Sequence, residues 1–400
     1  MTRTITALLF CALLGVAPAG DPYLWLEDVH GTQAMAWVNA ENAKTLAVLK
    51  NDPNFAVLYA DALKIAEAKD RIPTPEFIAG SIYNFWQDDE HVRGIWRRTT
   101  SADFASASPE WTTVLDLDAV SKSENANWVW KGADCAWPQE IRCIVYLSDG
   151  GEDAITAREY DLSAKQFVPN GFTLPQAKQR TAWESPDSLL VSREWSPGEL
   201  TTSGYPFVVK RLERGKPLSR AVEVFRGSAS DGGYGVTPLV LHDGGGHSAT
   251  LIQRPLSTFE AEYYLVTASG PQRLGLPLGV QSAGLIAGEL LFTLQKEWSA
   301  NGTVFPQGSL VQIDLAAATA DPQRLNPALV YAPGPRETLD GVAQTSSQLL
   351  LTTYENVRGR AWVYTPDGKQ GWTKARLDLP DDSSVVVNDA DLHGHSAYLT

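Results

Sequence analysis

The sequence predicts a mainly β fold: a seven-bladed β-propeller with its last blade truncated, preceded by a short N-terminal helical arm. Three observations carry that reading. From Ile72 onward, short β-rich runs are separated by Gly, Asp, Asn, Ser and Pro, with no helix of any length between them. Groups of about four such runs recur, opening near Ile82, Trp128, Ala182, Thr237, Gly284, Gly341 and Ala390, a period of roughly 45–57 residues against ~40–50 for a propeller blade. The chain has 32 Gly and 24 Pro but only two Met, a composition of turns rather than of long helices.

A four-stranded sheet cannot bury both of its faces alone. Stacking such sheets radially buries them against one another and leaves a channel lined by the innermost strands. A pair of β-sandwiches would supply similar strands but no reason for one period from Ile82 to Ala390. A parallel α/β fold would need helical crossovers between the strands.

The elements in chain order begin with an address. Residues 1–20 have a positive start at Arg3, an apolar run from Ala7 to Val16, and small residues at Ala17 and Ala19 before Asp21, the layout of a secretory signal peptide. The run is too short for a bilayer core, which needs about 20 apolar residues. Cleavage near Ala19 or Gly20 and export to the periplasm or the exterior are expected, with no membrane partner. Residues 21–71 form the arm. Met35, Val38, Leu46 and Leu49 keep helical spacing, and after Asp52-Pro53 a second stripe runs through Phe55, Leu58, Tyr59, Ala62, Ile65 and Ala66. Two such faces are expected to dock on another domain. Residues 72–400 form the propeller. Its last group, from Asn388, is interrupted at Thr400, so the chain is expected to be part of a longer protein.

Removing the leader leaves Cys135 and Cys143 as an even pair around Trp137-Pro138-Gln139. In an oxidising compartment they read as a cross-strand disulfide, with two half-buried thiols as the alternative. Composition excludes other classes. Forty-seven acidic against 33 basic side chains, a net charge of −14, repel phosphate backbones, so nucleic acid is not an expected partner. Thirteen Trp, 13 Tyr and 12 Phe exclude a disordered chain.

Motifs for chemistry are sparse. No G-x-S-x-G occurs. His242-Asp243-Gly244-Gly245-Gly246-His247 and Gly279–Gly284 read as glycine-rich hairpins. His393-x-His395 and the pair His242 and His247 lack a third ligand, so no metal and no cofactor is expected. A general acid/base pair of carboxylates stays open, because acids are abundant and their pairing in space is invisible in sequence.

Two segments resemble the prolyl oligopeptidase family of serine peptidases. Asp21-Pro22-Tyr23-Leu24-Trp25-Leu26-Glu27-Asp28 resembles the family's opening D-P-Y-x-W-L-E-D, with Trp37 and Asn39 resembling its W-V-x-x-x-N stretch. Ser196-Pro197-Gly198-Glu199-Leu200-Thr201-Thr202-Ser203-Gly204-Tyr205-Pro206, continuing through Val208–Arg211 and Arg214–Leu218, resembles a bacterial branch, and Ser148–Asp153 resembles the family's S-x-G-G-x-D turn. The resemblance implies that the arm packs on an α/β-hydrolase domain whose Ser, Asp and His follow the propeller, beyond Thr400. It implies that the propeller admits only short peptides, cleaved after proline, and that this chain alone is inactive. Glu159, with Tyr160 beside it, is the best match to the family's aromatic pocket position, and Arg254 to its peptide-contacting arginine. Two other classes stand beside it: a non-catalytic secreted propeller that binds a peptide or protein, and a propeller glycosidase with two acids converging at the channel mouth.

Overall fold

The computed structural model describes residues 21–28, 30–68, 71–369 and 371–400. The predicted leader, residues 1–20, lies outside them. The chain divides into two compact units, Met1–Asp70 and Arg71–Thr400.

In the first unit a 3-10 turn, Leu24–Glu27, precedes helices Thr32–Leu49 and Phe55–Ala66. The break between the helices follows from Pro53, which has no amide hydrogen to donate, and from Asp52, whose carboxylate accepts the Asn54 N–H at 2.8 Å. Trp25 packs edge-on against Trp37, ring centroids 6.3 Å apart. Met35, Leu46, Leu49, Leu58, Tyr59 and Ile65, members of the two apolar stripes, are exposed. Among the described residues no helix is long and apolar enough to cross a membrane.

The second unit is a ring of antiparallel sheets, each built mainly from consecutive strands. The innermost strands are Glu76–Ile78, Trp128–Cys135, Arg180–Ser185, Thr237–His242, Val280–Ile286 and Glu337–Gln344, opening blades 1 to 6. A last sheet pairs Val387–Ala390 with Ala397–Leu399. Its first strand contacts the inner strands of blades 6 and 1, so it sits between them.

The hydrophobic pattern dictates the stacking. In a strand successive side chains point to opposite faces. In the second strand of blade 2, Cys143, Val145 and Leu147 join the core shared with blade 1, while Ile144 joins the core shared with blade 3. Leu189 and Val191 of blade 3 face blade 2, and Leu190 faces blade 4. Leu290 and Phe292 of blade 5 face blade 4, and Leu291 faces blade 6. The core is therefore a series of dry wedges between neighbouring blades. Continuous runs such as Leu-Leu-Phe are what a strand needs when both faces are covered.

Four expectations meet the structure here. Six complete blades are present, not seven; the last sheet has two strands, half of what a blade requires. The first group opens one strand earlier than Ile82, at Glu76, because Ile82 belongs to the second strand, Ser81–Trp86. Short helices do interrupt the strands, at Ser101–Phe104, Leu117–Glu124 and Leu315–Ala320. Each starts where a polar side chain caps it: Thr100, Asp116 and Asp314 accept the N–H groups of Asp103, Ala119 and Ala317 at 3.0, 2.9 and 2.6 Å. Finally, Cys135 and Cys143 are direct cross-strand neighbours in blade 2 and are joined by a disulfide.

Leu290 has no exposed surface and fills the wedge between blades 4 and 5. Leu290→Ala should lower the unfolding free energy by about 2–5 kcal/mol, read as a shift of the urea midpoint, whereas Val304→Ala, at an exposed position, should leave that midpoint unchanged.

Candidate functional site

The ends of the innermost strands meet around the axis, and there the apolar pattern stops. Asp134 lies next to last on the blade 2 strand, His242 ends that of blade 4, Gln344 ends that of blade 6, and Asp389 lies next to last on the strand of the closing sheet. With the Trp137–Glu140 turn of blade 2 they form one end of the channel. Asp134, Trp137, Glu140, Val240, His242 and Gln344 are among the residues around a cavity of about 250 Å³.

Its frame is made of specific bonds. Gln344 is a strut: its Nε2 donates to the carbonyls of His242 and Leu285 at 3.0 and 2.8 Å, and its Oε1 accepts the Leu285 N–H at 3.0 Å. Gly284 must be glycine, since its φ is +122° and a Cβ there would overlap Gln344 Oε1. Trp137 is sandwiched between two imidazoles, with ring centroids 5.5 Å from His242 and 4.3 Å from His393, both nearly parallel. Glu140 Oε2 accepts the Ala79 N–H of blade 1 at 2.6 Å and lies 3.0 Å from His393 Nε2. Asp389 Oδ2 accepts the Phe77 N–H at 2.5 Å. These carboxylates, together with Phe77 stacked on Tyr398 at 5.3 Å, join blade 1, blade 2 and the closing sheet.

Asp134 is held by no such bond. Its backbone carbonyl accepts Trp183 Nε1 at 2.9 Å, but among the described residues its carboxylate has neither a hydrogen-bond nor an ion-pair partner. Burial, then the charge of Glu140, pushes it up to about 7. Burial, then Asp389, Asp134 and Glu140, likewise pushes Glu76 up to about 7. Water reaches Glu76, whose surface is exposed, more freely than Asp134, which is half-buried, so Asp134 carries the firmer of the two shifts. Burial also raises Asp389 and lowers His242. A larger groove of about 490 Å³ runs between blades 5 and 6, past Gln281, Ser282, Glu337 and Asp340; it gathers no such group of displaced carboxylates. Among the described residues no set of three or more His, Cys, Asp or Glu side chains is placed to hold a metal ion.

The residues matched by resemblance to substrate contacts are bonded to neighbouring blades in this structure. Glu159, on the third strand of blade 2, is buried; it accepts the Phe172 N–H at 2.9 Å and pairs with Arg214 of blade 3 through two bonds of 2.9 and 3.0 Å. Tyr160 is buried on the opposite face and donates its hydroxyl to the Val114 carbonyl of blade 1 at 2.6 Å. Arg254, on the second strand of blade 4, grips Asp231 of the connection from blade 3 through two bonds of 2.8 Å. All three clamp neighbouring blades together and lie off the innermost strands. His247, in the blade 4 hairpin, bonds through Nδ1 to the buried Asp243 at 2.8 Å. The sequence reading missed Glu76, Asp134, Trp137, Glu140 and Asp389 as a set.

A ring of four-stranded blades with a polar axial channel defines the class as a β-propeller domain. Comparison with known proteins narrows it. The model of the prolyl oligopeptidase N-terminal β-propeller domain matches residues 15–398, and the chain belongs to that family. An uncharacterized peptidase of Sinorhizobium fredii, y4nA, is 40% identical over 380 residues, covering 93% of this chain and 52% of the relative. An uncharacterized peptidase of Rickettsia prowazekii, RP174, is 24% identical over 377 residues, 90% of this chain and 52% of the relative. Among solved structures, a post-proline cleaving enzyme from Rickettsia typhi superposes with a TM-score of 0.86 at 22% identity, over 94% of this chain and 56% of that one. The chain thus spans about half the length of the relatives it matches.

The raised carboxyls set a pH dependence. Folding strengthens their hold on protons, so between pH ~4 and ~7 the native state keeps protons that the unfolded chain has released, and stability falls as pH rises through that window. Asp134→Asn should raise stability at pH 8 by on the order of 1–2 kcal/mol, screening by channel water being allowed for. It should leave stability at pH 4 nearly unchanged. Urea midpoints of both proteins across pH 4–8 check this.

Proposed function

We propose that this chain is the propeller portion of an exported serine peptidase of the prolyl oligopeptidase type, and that its channel admits short proline-containing peptides to a catalytic domain outside the chain. The family match along residues 15–398 is the observation that carries this reading. Likeness in fold to a post-proline cleaving enzyme, and relatives about twice as long, support it. Export rests on the composition of residues 1–20.

In such an enzyme a serine, assisted by a histidine, attacks the scissile carbonyl, an oxyanion hole stabilises the tetrahedral intermediate, and water releases the acyl group. This chain contains no G-x-S-x-G, so its contribution is access. A channel rimmed by six stacked blades passes an extended peptide and excludes a folded protein. The exposed apolar faces of the two helices support their packing on the absent domain. One observation favours a second reading: the carboxylates near the cavity meet the condition set for a propeller glycosidase, two acids converging in the channel. Membership of a peptidase family directs the assignment to peptides.

The full-length enzyme should hydrolyse a quenched short peptide with an internal proline and spare the same sequence displayed in a loop of a folded protein. Residues 21–400 alone should show no hydrolysis above the buffer rate. Peptide cleavage by the isolated chain would overturn the assignment of its role, and turnover of an aryl glycoside would favour the second reading.

A further inference from the structure

We propose that the Trp137–Glu140 turn of blade 2 is a crossbar over this end of the channel, and that Trp137 limits the girth of peptide passing there to one extended strand. This rests on the reading that peptides enter the channel, and adds the side chain that sets their width.

Ring order places Trp137 near the axis. Neighbouring inner strands touch in the order blade 2, blade 3, blade 4, blade 5, blade 6, closing sheet, blade 1. Blade 4 and the closing sheet therefore each stand two places from blade 2, in opposite directions round the ring. Yet the Trp137 ring is stacked on His242 of blade 4, at 5.5 Å between centroids, and on His393 of the closing sheet, at 4.3 Å, with tilts of only 16° and 17°. One side chain can touch points so far apart round a ring only from near its centre.

Each part of the bar is held by other bonds. At its base Cys135 and Cys143 are cross-strand neighbours joined by the disulfide. Within the turn the Ala136 N–H donates to the Arg142 carbonyl and the Glu140 N–H to the Ala136 carbonyl, both at 2.8 Å. On the far side the His242 carbonyl accepts Gln344 Nε2 of blade 6 at 3.0 Å. His393 donates its N–H to Asp391 at 2.9 Å, and its Nε2 lies 3.0 Å from Glu140, whose carboxylate also accepts the Ala79 N–H of blade 1. An indole stacked on both faces, on a turn fastened at its base, is a fixed obstacle.

The space beside the bar fits one strand. The cavity that Trp137 lines with His242, Leu285, Gln344 and Leu392 draws its walls from blades 2, 4, 5 and 6 and the closing sheet, and measures about 250 Å³. An extended chain occupies about 5 by 10 Å in section and about 3.3 Å per residue, so that volume holds roughly one to two residues of a single strand. A hairpin or a closed loop of peptide needs twice the section.

The test uses the full-length enzyme and two substrates of one sequence: a linear peptide with an internal proline, and the same peptide closed end to end by an amide bond, so that two strands must pass side by side. Hydrolysis is followed by liquid chromatography. In the wild type kcat/KM should favour the linear form by about tenfold or more, the scale of steric discrimination. Trp137→Gly should bring that ratio about tenfold closer to one, and Trp137→Phe, which keeps a flat ring between the imidazoles, should preserve it. His393→Ala, which frees one face of the bar, should move the ratio the same way as Trp137→Gly and decides the matter if the glycine variant does not fold. An unchanged ratio in the variants that turn over the linear peptide, or a fall in both rates together, would overturn the crossbar and leave the peptide channel standing, with Trp137 only a brace between blades. Equal cleavage of both forms by the wild type would also overturn it. Failure of the wild type to cleave the linear peptide would overturn the reading on which the crossbar rests.

Discussion

A strand that is apolar on both faces can be buried only between two other sheets, and the whole propeller unit is a solution to that constraint. Cys143 to Leu147, Leu189 to Val191 and Leu290 to Phe292 each send alternate side chains into different wedges. No blade completes its own core. Closing the series into a ring follows, and so does the location of the polar groups. The wedges are dry, and charge enters them only where it is matched, as at Glu159 and Arg214. Asp134, Glu140 and Asp389 gather at the axis, where the inner strands end, and the last two are bonded to N–H groups of blade 1.

The period that repeats this constraint was legible in the sequence because every blade must satisfy it. Six of the seven positions at which a group was expected to open fall on the innermost strand of a sheet. The exception is blade 1, whose inner strand is only Glu-Phe-Ile behind Pro73 and Pro75; three residues hold too little alternation to read. The two helices of the arm were legible from their 3.6-residue spacing. Helices of four to eight residues, starting on the last residue of a strand or just after it, were not, since their caps, Asp116 and Asp314, look like ordinary turn residues.

The channel site was illegible for a different reason. Glu76, Asp134, Glu140, His242 and Asp389 come from three blades and the closing sheet, and each alone is a polar residue near a strand end. Only their recurrence at the close of the inner strands of blades 2, 4 and 6 and of the closing sheet, at Asp134, His242, Gln344 and Asp389, marks them, and that requires the blade register first. Glu159 is the opposite case. Its partner Arg214 lies 55 residues away, one blade further round, so the sequence displays an isolated acid where the structure has a clamp.

Family membership and a ring of blades that share their cores meet in one account: a propeller that filters peptides by size. The most direct test is a crystal structure of this chain with Ala-Pro-Ala-Lys-Ala amide bound. The account predicts the peptide extended along the axis, past the ends of the inner strands, with Trp137 still stacked on His242 and His393. A peptide bound on the outer strands of the blades would contradict it.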